Sequence, residues 1–191
     1  ALKAFTQWRT SWLSREAWAS VATLVLLAPV ALSDILGLGM PKVFGQIGGT
    51  LAILTVFTTA MIYTQIKAIP RWHHWLTPVM FLTFALAGGA TLSGRAWAPV
   101  LLLAVGAVLY ALWRVGDRAF ASAGQTLGTA TGLDRLGVPS VLDPAHTAGN
   151  YLKREMIFVV GRKHAVKLRK IALALASVLP ALVLLLPLGV W

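Results

Sequence analysis

The sequence predicts an all-α integral membrane protein, a bundle of five transmembrane helices, and three observations carry that prediction. Of the 191 residues, 58% are hydrophobic and 12% are charged, where soluble domains run at roughly 45–50% apolar and about 25% charged; the mean hydropathy is +0.75. Five apolar runs, residues 17–36, 43–66, 76–93, 97–114 and 171–191, approach or reach the length that crosses a bilayer, for which about 20 helical residues span about 30 Å of hydrocarbon. Finally, when these runs alternate across a membrane, fifteen of the 17 Lys and Arg residues fall on one side and only Lys42 and Arg95 on the other. That asymmetry assigns the basic side to the cytoplasm.

Composition also excludes several classes. There is no Cys, hence no disulfide framework, no thiolate-held iron–sulfur cluster and no Cys-based zinc site in this chain. The net charge of +11 does not imply a nucleic-acid partner, because the basic residues lie in segments between apolar runs, where topology accounts for them. No Ser/His/Asp set, phosphate-binding loop or H-E-x-x-H stands in a supporting context. The start has no initiator Met and no signal-peptide pattern, so residues 1–191 read as one membrane domain that continues beyond both ends.

Taken in order, the first run is preceded by Ser11-Trp12-Leu13-Ser14-Arg15-Glu16. Ser14 is placed to cap the helix and Glu16 to sit in its first turn, where the helix dipole favours an anion. Glu16 has two readings: a proton donor or acceptor at the membrane boundary, or a capping-turn residue paired with Arg15 or Arg9. The run ends at Asp34 and a Gly-Leu-Gly-Met-Pro turn. The second run opens with Gly45, Gly48 and Gly49, and the third carries Gly88 and Gly89, small residues that permit close helix packing. Between them Pro70 interrupts the chain, and Arg71-Trp72-His73-His74-Trp75 reads as an interfacial segment. Its Arg71, Trp72 and His73 suit either lipid phosphate or the carbonyls and ring of a quinone. The third and fourth runs are short and need little tilt. Residues 115–170 form a Gly- and Pro-containing loop on the basic side, ending in an interfacial or partner-docking helix over 151–170. Its cluster Arg162-Lys163-His164 is a topology determinant and a docking face. The four His, at 73, 74, 146 and 164, all lie outside the spans, so no haem is expected, a bundle-held haem requiring axial ligands within facing helices. No metal site is expected either. A transporter would carry charged or unwound positions near mid-membrane, and no charge falls in the middle of a run.

Three blocks then converge on a known family. Residues 11–16 (Ser-Trp-Leu-Ser-Arg-Glu), 69–78 (Ile-Pro-Arg-Trp-His-His-Trp-Leu-Thr-Pro), and Tyr151-Leu152-Lys153-Arg154-Glu155-Met156 with Arg162-Lys163-His164-Ala165 together resemble the membrane-anchor subunit of the dimethyl sulfoxide reductase family. Thr129-Ala130-Thr131-Gly132-Leu133 with His146-Thr147 is similar to the anchor found with cytoplasmic sulfite dehydrogenases. The resemblance implies an eight-helix anchor without haem, of which the five spans are helices three to seven. It implies a bound quinone, ubiquinone or menaquinone, and two partners: a ferredoxin-like iron–sulfur subunit and a molybdopterin catalytic subunit. It implies a bacterial inner-membrane location with the partners on the cytoplasmic side. A family motif containing the His most associated with quinol chemistry would lie just upstream of Ala1. Glu16 matches the family's carboxylate at the quinone site, and Arg9, Trp12, Ser14 and Arg15 are its neighbours. The expected activity is sulfite oxidation with quinone reduction, the alternatives being a dimethyl sulfoxide reductase anchor oxidising menaquinol and a purely structural anchor.

Overall fold

The computed structural model describes residues 3–124, 126–140 and 151–186. Among them all regular structure is helical. A short α1 (Lys3–Thr6) precedes α2 (Trp12–Leu36), α3 (Lys42–Thr64), α4 (Leu76–Leu92) and α5 (Ala98–Ser122). After α5 come a short α6 (Leu127–Thr131), a single 3-10 turn at Leu133–Arg135 and a π-helical stretch at Leu152–Gly161. The last span is composite: α7 (Ala165–Leu173), a wide π turn over Ala174–Val178, and α8 (Leu179–Leu185).

Four helices are long and apolar enough to cross a membrane: Trp12–Leu36, Lys42–Thr64, Ala98–Ser122 and Ala165–Leu185. The fifth apolar helix, α4, has 17 residues, about 26 Å at 1.5 Å each, as the shortness of its run implied. Neighbours in sequence are neighbours in space: α2 packs on α3, α3 on α4, α4 on α5, and α5 on the last span. From α2 to α5 this is the up-and-down connectivity that short loops impose, while a longer segment joins α5 to the last span. The centre lies between α4, α5 and α8, where Met80, Ala87, Leu102, Val105 and Ala181 are buried together.

Backbone proximity is bought with small residues. At Gly106 an added Cβ would stand 2.5 Å from Ser177 Oγ and 2.9 Å from its Cβ, so α5 and the π turn touch nearly main chain to main chain. Gly48 likewise lies hard against the Leu27 side chain of α2. The expectation for Gly88 and Gly89 is corrected: a Cβ at either meets nothing within 4 Å, because these positions of α4 turn away from its neighbours.

Three boundaries differ from the sequence expectation. The first helix begins at Trp12 rather than at residue 17, with Ser11 as its N-cap residue in extended conformation (φ −118°, ψ 124°). The Arg15 amide bonds to Ser11 O at 3.2 Å, starting the helix there. Ser14 is therefore inside the helix rather than its cap, and Glu16 lies beyond the first turn. The fourth span continues through Arg114 to Ser122, since its charges are accommodated: Arg114 and Arg118 are exposed and Asp117 is paired with two arginines. The loop expected over 115–170 thus starts only after Ser122. The last span starts at Ala165 rather than 171, and the interfacial helix expected over 151–170 is two pieces with a turn at His164. His146 and Thr147 lie outside the described residues.

Candidate functional site

The site is built from the start of the chain folding back on α2. Gln7 O accepts from the amides of both Thr10 and Ser11, turning the backbone so that residues 5–9 run alongside the helix. Three bonds then hold it. Arg15 Nε donates to Trp8 O at 2.9 Å, Arg15 Nη2 to Arg9 O at 2.8 Å, and Trp18 Nε1 to Phe5 O at 2.9 Å. Trp12, Arg15 and Ala19 recur at spacings of three and four and so share one helix face.

Between this face, the folded-back segment and α3 lies a groove of about 620 Å³ walled by Phe5, Trp8, Trp12, Arg15, Trp18 and Phe57, with Leu54 and Thr58 contributed by α3. Its rings meet edge to face: Phe5 on Trp18 with centroids 5.4 Å apart, Trp12 on Phe57 at 6.1 Å, the arrangement aromatic quadrupoles favour. The Arg15 guanidinium lies 4.2 Å from the Trp12 ring centroid, a cation–π contact. The two carbonyl acceptors engage Nε and Nη2, leaving the Nη1 donors of Arg15 available to an oxygen acceptor in the groove. Flat aromatic walls with one fixed cationic donor suit a planar, apolar molecule bearing carbonyl oxygens.

Glu16 is beside the groove but not on its wall. It is half-buried, and its Oε1 accepts from Thr59 Oγ1 at 2.7 Å. Thr58, the neighbour of Thr59, lines the groove. From Thr59 a row of hydroxyls continues along the α2–α3 seam, with Thr55 and Thr23 at 3.2 Å from one another. The alternative reading of Glu16 as a partner of Arg15 or Arg9 is not met: among the described residues it makes no ion pair. Ser14 is 1% exposed and its hydroxyl has no hydrogen-bond partner among the described residues. Arg9 is exposed, its guanidinium 5.4 Å from the Trp8 ring centroid.

The other predicted residues lie elsewhere. Arg71 Nε pairs with Asp117 Oδ1 at 3.0 Å and its guanidinium sits 4.1 Å from the Phe120 ring centroid. Trp72 packs edge-on to Tyr63 at 5.5 Å and with Tyr63, Met80, Phe81 and Leu112 encloses a smaller pocket of about 250 Å³. His73 Nδ1 donates to Thr64 O at 2.7 Å, tying the interfacial segment to the end of α3. This trio thus organises the junction of α3, α4 and α5 and does not reach the aromatic groove. Arg162, Lys163 and His164 are exposed at the turn before α7. Among the described residues no group of three or more His, Cys, Asp or Glu is placed to hold a metal ion.

Sequence reasoning missed two things. It passed over the tryptophans at 8 and 18, although Trp8, Trp12 and Trp18 around one helix start signal an aromatic enclosure. It also passed over Asp117, which accepts from Arg169 through both oxygens, at 2.6 and 3.1 Å, as well as from Arg71. An acid between Arg114 and Arg118 in a helix was the available signal.

Comparison with known proteins bears on the whole of this region. The family described as DMSO reductase anchor subunit (DmsC) matches residues 1–111, from the folded-back segment through the first half of α5. A sulfite dehydrogenase subunit from Allochromatium vinosum is 29% identical to the chain over 221 aligned positions, covering 96% of this chain and 64% of the relative. The chain therefore spans less than two thirds of that relative's length. No solved structure gives a significant match.

Proposed function

This chain belongs to the DMSO reductase anchor subunit (DmsC) family, and from that membership we propose that it is the quinone-reactive membrane anchor of a molybdopterin and iron–sulfur oxidoreductase. Its expected partners are a ferredoxin-like subunit and a molybdopterin catalytic subunit, docked on the basic side of a bacterial inner membrane. The basic side is taken as cytoplasmic from the charge asymmetry. The likeness to a sulfite dehydrogenase subunit favours sulfite oxidation with quinone reduction.

The observation that carries the proposal is the aromatic groove with Arg15 in its wall and Glu16 one residue behind. Quinone reduction takes up a proton with each electron, at the ring oxygens. In the groove, Trp12, Trp18 and Phe57 would sandwich and dehydrate the ring, and the Nη1 donors of Arg15 would orient one carbonyl. Glu16, held by Thr59 through one oxygen and with the other unengaged among the described residues, would deliver protons across a bridging water. Arg71, Trp72 and His73 support the groove at one remove, by fixing the ends of α3 and α4. Arg162, Lys163 and His164 would face the iron–sulfur partner.

The test is Glu16→Gln in the assembled complex. The amide keeps a hydrogen bond to Thr59 but cannot carry the proton. Sulfite-dependent quinone reduction is expected to fall by about 10²-fold or more, the usual scale for a lost acid–base group, with partner subunits still bound. Unchanged turnover would leave the chain a structural anchor. A complex that oxidises menaquinol with dimethyl sulfoxide and ignores sulfite would reverse the assigned direction.

A further inference from the structure

We propose that the groove between α5 and α7 is a binding site for one anionic phospholipid, whose phosphate bridges Arg114 and Lys170 and whose acyl chain lies along Tyr110 and Leu173. The groove holds about 210 Å³ and is lined by Tyr110, Trp113 and Arg114 from α5 and by Val166, Arg169, Lys170 and Leu173 from the last span. Arg169 is already committed. Both its terminal nitrogens donate to Asp117, and its guanidinium stands 5.7 Å from the Trp113 ring centroid. That contact fixes the register of α7 on α5 and presents the next residue, Lys170, to the groove. Among the described residues the Lys170 side chain makes no hydrogen bond or ion pair, and the Arg114 guanidinium meets Tyr110 alone, through a long 3.5 Å contact to its hydroxyl and at 5.9 Å from its ring centroid. Two cations on two membrane-crossing helices, in a groove whose lining includes no carboxylate, call for an anion from outside the chain. The polar rim and apolar inner walls match the two halves of a phospholipid. This favours a lipid over an acidic segment of a partner protein, which would have no use for Leu173 and Tyr110 facing the hydrocarbon region.

The experiment uses the purified chain in detergent with phosphatidylglycerol, phosphatidylcholine or inorganic phosphate, reading retained lipid by native mass spectrometry. Phosphatidylglycerol is expected to be retained at about one per chain, phosphatidylcholine much less, and inorganic phosphate is expected not to displace it. The double variant Arg114→Gln with Lys170→Gln should lower retention at least about tenfold, in line with the attraction per basic residue at an anionic surface. The charge-matched control Lys67→Gln with Arg135→Gln should retain lipid as the parent does. Equal loss in both double variants, equal retention of both lipids, or displacement by free phosphate would each overturn the proposal. Should the Gln variant not fold, the parent chain decides the matter through a diazirine-bearing phosphatidylglycerol. Cross-links within residues 110–114 and 166–173 support the site, and cross-links confined to other segments overturn it. Protection of those peptides from the probe in the assembled complex would assign the groove to a partner protein instead.

Discussion

At the scale of single residues, the chain uses its few polar side chains as fasteners. Arg15 is the clearest: one guanidinium binds two backbone carbonyls and covers one indole. Lysine cannot reproduce that fork. Arg15→Lys is expected to release residues 5–9, raising the KM for quinone about tenfold and shifting tryptophan emission to the red, as charge-assisted bonds of this kind contribute about 1.5–3 kcal/mol each when buried and less here. Asp117 is the second fastener, joining the interfacial segment to α5 and the last span. Its side chain is 35% exposed and its arginines are more so, which limits the worth of the pairs through solvent screening. Asp117→Asn is expected to lower stability by no more than about 1–2 kcal/mol, a loss that shrinks in high salt and is measurable as a thermal midpoint in detergent. The aromatic partners of this node were hard to foresee because contacts such as Arg71 with Phe120 and Arg169 with Trp113 join residues far apart in sequence. Glu16, by contrast, stood out at once as an acid at a helix entry; what its neighbourhood concealed was that a threonine, and no arginine, holds it.

At the scale of the helix, hydrophobic length fixed where the spans are, and charge misled about where they stop. A run of apolar residues announces its middle, so all five apolar helices were legible, four of them long enough to cross a membrane. Their ends were not, because Arg15 and Lys167 sit near the starts of their helices and Arg118 near the end of its own, where terminal turns reach the polar boundary and long basic side chains extend to water. Glycine behaved in two ways that sequence alone does not separate. Gly106 and Gly48 are contact points, while Gly88 and Gly89 face open space. Gly106→Val is expected to push α5 off the last span and cost about 1–3 kcal/mol, the usual range for overpacking. Gly88→Ala and Gly89→Ala are expected to be neutral or to stabilise by up to about 1 kcal/mol, since alanine is the better helix former. Thermal midpoints of the three variants, measured side by side in one detergent, check both statements.

At the scale of the whole molecule, the chain separates its functions by end. The groove, the Asp117 node and the exposed turn at Arg162–His164 all lie at the end where α2 begins and α3 finishes; Lys42 and Arg95 mark the other. Since the sequence has no cysteine, single substitutions test this directly. Cysteines at Lys67 and Lys163 are expected to react with a membrane-impermeant maleimide only in inside-out vesicles, and cysteines at Lys42 and Arg95 only in right-side-out ones. The segment Leu152–Gly161 has the fewest neighbours of the longer helical stretches: apart from α7, no described element packs against it, and its Met156 and Val159, with the preceding Tyr151, are more than half exposed.

The tether of the folded-back segment has a consequence for how such a site can change over generations. All three of its acceptors are main-chain carbonyls, those of Phe5, Trp8 and Arg9, and every amino acid supplies one. Substitution at Phe5 or Trp8 therefore remodels one wall of the groove while the grip of Arg15 and Trp18 persists. The tether makes no demand on the side chains at residues 5, 8 and 9, and depends on those of the two donors, Arg15 and Trp18.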